Sequence, residues 1–150
     1  MTIKNIFKIP LILIPFLLLN GCAESVNTSS VNFGDISFEN SGSVDAQESF
    51  LIGVKSLHNF QFDDARIAFE EAADIDPTFA LAYWGQAMSN NFPLWARQNT
   101  EDARNALKKF APTFEARLEL SKSEKEKAFM SAAEALVFSS EDKLERDFAY

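Results

Sequence analysis

Only one cysteine, Cys22, and one histidine, His58, occur in the 150 residues of this chain. A single thiol excludes an intramolecular disulfide. Zinc sites draw on several His or Cys ligands, and that set is missing, as is any motif for a Ser-His-Asp relay or a Cys-His pair. Basic residues are few, 14 Lys and Arg against 22 Asp and Glu, for a net charge of −8. A surface of that sign repels nucleic acid and anionic headgroups, so nucleic-acid binding is not expected. The adjacent carboxylates Asp63-Asp64 and Glu70-Glu71 lack an EF-hand loop around them. Neighbouring residues on a helix also diverge in direction, so they read as solvated helix faces. His58, near a helix end, reads as a buried, hydrogen-bonded structural residue. No catalysis, cofactor or metal is expected.

The amino-terminal segment lacks the length to span a bilayer. Lys4 and Lys8 precede an apolar run, Ile9–Leu19, that Pro10 and Pro15 interrupt. Such a run suits a secretory signal and falls short of the ~20 residues of a membrane-spanning helix. Leu18-Leu19-Asn20-Gly21-Cys22 resembles a bacterial lipobox. The resemblance implies cleavage before Cys22, acylation of that residue and attachment to a membrane; two or more acyl chains give a stable anchor. The other reading is an ordinary secretory signal with an incidental cysteine. Ala23 follows the cysteine, with no Asp there, and by resemblance to sorted lipoproteins this favours the periplasmic face of the outer membrane. Removing residues 1–21 takes two lysines and no acid, which leaves 12 basic residues and a net charge near −10.

Residues 22–44 are rich in Ser, Asn, Gly and Asp without helical or alternating period, and read as a flexible, disordered tether. Val31, Phe33, Ile36 and Phe38 leave open a short strand laid on the first helix. From Asp45 the pattern turns helical. Asp45 with Glu48 predicts a capping box, and Phe50, Val54 and Leu57 share one side of the helix. A turn near Gln61 leads to a second helix at Asp63-Asp64, where acids suit the positive helix end. Its apolar stripe is Ala65, Ala68, Phe69, Ala72 and Ile75, and Pro77 ends it. Further on, Ser121 with Glu124 predicts a second capping box, a stripe runs from Ala128 to Val137, and Ser140 is expected to cap a last helix.

Ile52-Gly53, Ala65-x-x-x-Phe69, Ala72, Asp76-Pro77 and Ala80-x-Ala82-Tyr83-Trp84 together resemble the tetratricopeptide repeat, which recurs about every 34 residues with Leu-Gly, Ala-x-x-x-Phe and a closing proline. The signature positions are Gly53, Ala65, Phe69, Ala72, Pro77, Ala80 and Tyr83. In a second, degenerate unit Ala87 stands for Gly53, and Ala103 with Leu107 for Ala65 with Phe69. Phe92-Pro93-Leu94-Trp95 lengthens the turn between its helices. The wording around Leu57-His58-Asn59-Phe60 and Pro93-Leu94-Trp95 is similar to long bacterial tetratricopeptide proteins, and the likeness covers roughly 48–138. It implies an all-α fold: antiparallel helix pairs over 45–150, stacked as an α-solenoid in units 46–79, 80–113 and an incomplete 114–150. The chain is then expected to be the amino-terminal part of a longer protein.

Repeats of this type bind proteins or peptides along the first helix of each pair. That assigns Phe50, Val54, Leu57, Leu81, Trp84 and Met88 to an apolar groove suited to peptide or helix capture. The same residues would also serve as packing for later repeats or the tether. Trp95 reads as a plug for the widened turn. The leading expectation is a membrane-anchored, exported scaffold for protein–protein interaction. Two alternatives stand beside it: a nutrient- or glycan-binding lipoprotein, which needs Trp84 and Trp95 exposed and coplanar, or the recruiting arm of a larger enzyme.

Overall fold

The computed structural model describes residues 34–150; the expected signal peptide (1–21), Cys22 and the tether as far as residue 33 lie outside the described residues. Contacts divide the chain into two units, 1–32 and 33–150, and every described element belongs to the second. That unit is all-α. Its elements are α1 (Gln47–His58), α2 (Phe62–Ile75), α3 (Ala80–Met88), α4 (Thr100–Phe110), α5 (Phe114–Leu120), α6 (Glu124–Phe138) and α7 (Lys143–Ala149). Between α3 and α4 lies a small hairpin in which β1 (Asn91–Phe92) pairs antiparallel with β2 (Arg97–Gln98), Asn91 opposite Gln98.

Helix α1 packs on α2, α2 on α3, and α3 on both α4 and α6. Central α3 is buried from Ala80 to Ala87, as expected for a helix apolar all round. The α1–α2–α3 spacing rests on Phe69, whose ring lies over Gly53 of α1 and Gly85 of α3. Ala65, Phe69, Ala72, Ala80 and Tyr83 are buried, and so are Ala87, Ala103 and Leu107. Ile75, expected in the α2 stripe, is instead 44 % exposed: the last turn buries Ala72 and Ala73, and Ile75 falls at the edge of that face.

The helix starts differ from expectation by one or two residues, the usual scatter where several cap-forming side chains compete. Asp45 and Glu48 form no capping box: a 3-10 turn over Val44–Ala46 leads into α1, with no side-chain cap. The capping box on α6 uses Ser123 and Glu126 instead of Ser121 and Glu124. Asp142, not Ser140, caps α7, accepting from the Leu144 and Glu145 amides. Helix α5 falls inside the 114–150 unit expected to be helical but was not singled out as a separate helix, and the hairpin was not expected.

Residues 34–43, read as part of the tether, form a bound strap. Phe38 packs edge-on to Phe50 at 5.4 Å and tilts against Phe129 at 5.6 Å. Gly42 lies flat on Phe79. Its neighbour Ser41 donates its amide to Glu126 Oε1 (2.9 Å) and Ser43 donates to Asp76 Oδ2 (2.9 Å). Lys125 donates to the Glu39 carbonyl and sits 4.4 Å from the Phe38 ring centre. The open alternative came closer, since Phe38 does pack on α1, but the strap forms no strand. Its donors and acceptors go to side chains of α1 and α6 and to Asp76 just past α2, which supply no continuous edge for a ladder.

Candidate functional site: an aromatic cleft

The expected groove is filled from within the chain. Phe50 and Leu81 are fully buried, Val54 and Trp84 nearly so, and Leu57 and Met88 half-buried. Phe38 of the strap covers that face, with its ring 6.5 Å from Trp84, while Phe129 of α6 meets Trp84 edge-on at 4.9 Å. Phe50, Val54, Leu81 and Trp84 belong to the core and Leu57 and Met88 pack against it, because the strap and α6 lie where a free concave surface was expected. Pro77 stands exposed just after α2, and His58 is exposed as well. The histidine is not buried as expected, although its Nδ1 pairs with the Val54 carbonyl at 2.8 Å.

The exposed aromatic surface lies at the other end of the α1–α2 pair. Helix α1 ends in a Schellman motif: Gln61 N–H donates to Ser56 C=O (2.9 Å) and Phe60 N–H to Leu57 C=O (3.2 Å). The residue between the helices must then be left-handed, a place usually taken by glycine. Here it is Phe60, at φ 60°. A bulky side chain there costs about 1–2 kcal/mol. The conformation turns the Phe60 ring outward, half exposed, against Phe62 at 6.2 Å. Across from it, Pro93–Trp95 forms a 3-10 turn that closes on Ala96, also left-handed at φ 49°. Among the described residues, Phe60 and Ala96 are the non-glycine positions with positive φ; Phe60 lines the cleft, and Ala96 lies in the chain between two residues that line it, Trp95 and Arg97.

Phe62 is the centre of that cleft. Phe92 stands edge-on to it at 4.8 Å and Trp95 edge-on at 6.1 Å. Trp95 is 60 % exposed, so it does not plug the widened turn. The short β pair closes that loop and leaves the indole outside. Asp63 and Asp64, in the first turn of α2, line the same hollow of about 560 Å³ with Gln61 and Arg97. The Arg97 guanidinium lies 4.8 Å from the Phe92 ring centre, a cation–π contact. The cleft continues past Asp63, Phe92 and Arg97 to Asn90, Asn99 and Asp102, and then between α2 and α4 along Arg66, Glu70, Asn105 and Lys109. It is an open trough with an aromatic head and a polar floor.

Among the described residues no cluster of three or more His, Cys, Asp or Glu is placed to hold a metal ion, and no helix is long and apolar enough to cross a membrane. No protein-family model, curated protein or solved structure matches the chain.

Sequence reasoning singled out Trp95 but gave it a packing role, and passed over Phe60, Phe62, Phe92 and Arg97 as a group. One signal was present: Asn59-Phe60-Gln61 puts a ring where a helix–helix turn prefers glycine. The opposition of this turn to the 93–96 loop required the tertiary fold.

Proposed function

We propose that this chain is an exported, lipid-anchored scaffold of the tetratricopeptide type, its helix pairs stacked as an α-solenoid, which captures a protein partner at the aromatic cleft. The observation that carries the reading is left-handed Phe60 in the wall of a hollow lined by exposed rings, with left-handed Ala96 in the chain between two more of its lining residues, Trp95 and Arg97. Backbone strain of this kind collects at functional sites, and a Trp in a pocket is a typical hot spot of protein interfaces. Acylation of Cys22 would hold the module at the periplasmic face of the outer membrane, and residues 22–33 would act as the tether. The mature chain's net charge near −10 would steer partners that carry Lys or Arg. Burial of Trp84 removes the coplanar Trp84–Trp95 platform on which glycan capture depended.

The test is an array of extended peptides probed with the full chain in detergent. Trp95→Ala should lower affinity for the captured peptides by about 2 kcal/mol or more. Equal binding by the Trp95→Ala chain would end this reading.

A further inference from the structure

We infer that the head of the cleft takes the side chain of a lysine or arginine from an extended peptide, whose neighbouring residues run along the trough between α2 and α4. This rests on the capture reading above and adds the chemistry of the partner.

The ring geometry is the first ground. Phe62 meets Phe92 at 76°, Trp95 at 79° and Phe60 at 58°. Rings set this way form a notch with faces on several sides, not the flat platform on which a sugar ring stacks. A notch suits a slender methylene stem, and a cation at its tip can meet ring faces. The molecule already makes that contact with its own Arg97 over Phe92.

Charge is the second ground. Asp63 and Asp64 are exposed at the cleft wall, and among the described residues neither side chain has an ion pair or a hydrogen bond. The nearby Arg66 is engaged with Glu70 at 3.0 Å. Two unpaired carboxylates against one guanidinium leave the hollow with an excess negative charge, beside apolar faces that lower the local dielectric. An incoming ammonium or guanidinium would bury its stem and find both an anion and a ring. A neutral side chain would lose the first, and an acidic one would be repelled. Beyond the head, Asn99, Asp102 and Asn105 line the polar floor, where an extended backbone could exchange water for side-chain amides and carboxylates.

The experiment uses the full chain in detergent and a set of fluorescent peptides identical except at one central position, which is Lys, Arg, norleucine or Glu. Norleucine keeps a four-carbon stem and removes the charge. The Lys and Arg peptides should bind, change Trp95 emission and weaken steeply as salt rises. The norleucine peptide should bind about tenfold or more weakly, equivalent to about 1.4 kcal/mol. Asp63→Asn with Asp64→Asn should lower Lys-peptide affinity to the norleucine level while the helical spectrum stays unchanged. Norleucine and Lys peptides of equal, salt-independent affinity would overturn the cation inference and leave capture at the cleft standing. Failure of every peptide, with a neutral oligosaccharide shifting Trp95 emission instead, would overturn both.

Discussion

Phe69 and Phe60 show opposite uses of one side chain. The Phe69 ring is fully buried, and a Cβ placed on Gly53 would fall 2.8 Å from its edge. The ring cannot yield toward α3, because Gly85 is pressed just as closely on its other side. Gly53→Ala should therefore destabilise the fold. Overpacking costs about 1–3 kcal/mol, against a helix-propensity gain of about 1, so the urea midpoint should fall. Phe60 is the reverse, a ring held outside by a strained backbone. Phe60→Gly relieves about 1–2 kcal/mol of left-handed strain and gives back up to about 1 in chain entropy. Thermal melting should thus show stability unchanged or slightly raised, while peptide capture is lost. A variant that melts well below the parent would mean that Phe60 serves packing. The two tryptophans divide in the same manner: acrylamide should quench Trp95, and Trp95→Phe should leave only the shielded emission of Trp84.

At the level of elements, the strap is tied down by two carboxylates. Glu126 is fully buried. It accepts from Ser41 N (2.9 Å) at Oε1, and from Lys122 N (2.8 Å) and Ser123 N (3.2 Å) at Oε2. A glutamine there keeps one acceptor oxygen and turns an NH2 toward amide donors. Glu126→Gln should cost about 1–3 kcal/mol, read from denaturant unfolding, with faster hydrogen exchange at the Ser41 amide. Asp76 holds the strap two residues further on, at the Ser43 amide. Its partial burial opposes ionisation, but the Thr78 hydroxyl, the Ser43 and Thr78 amides and the charge of Lys122 outweigh it. Its carboxyl is held below the ordinary 3.8. The folded state thus prefers the ionised form more than the unfolded chain does. The resulting stability is complete above pH 3.8 and is lost as pH falls through the lower folded value. Wild-type unfolding midpoints should drop across that acid range more than those of Asp76→Asn.

Over the whole molecule, the anchor proposal has its own check. Cys22→Ser should move the protein from the membrane pellet to the soluble fraction after cell disruption. Pellet-bound Cys22→Ser protein would remove the lipid anchor and leave the cleft untouched. Three-residue and four-residue spacing of Ala65, Ala68, Phe69 and Ala72 was enough to place α2 and its buried face, since helix period and Pro77 act locally. The glycine at 53 likewise announced a close approach. Which face stays free is not a local property. Phe50 and Trp84 carry the pattern of a binding groove, yet Phe38, distant in sequence, lies on them. The strap reads as linker because its apolar residues are sparse and its bonds go to side chains of α1, of α6 and of Asp76 just past α2. The cleft depends on a 3-10 turn and a two-residue β pair, elements too short for any period to reveal. Sequence alone determined that the chain is helical from the mid-forties onward, acidic, and limited to one cysteine and one histidine, because composition and periodicity act residue by residue. Only the tertiary structure decided which aromatics are covered and which stand open, because that choice depends on how segments far apart in the chain pack together.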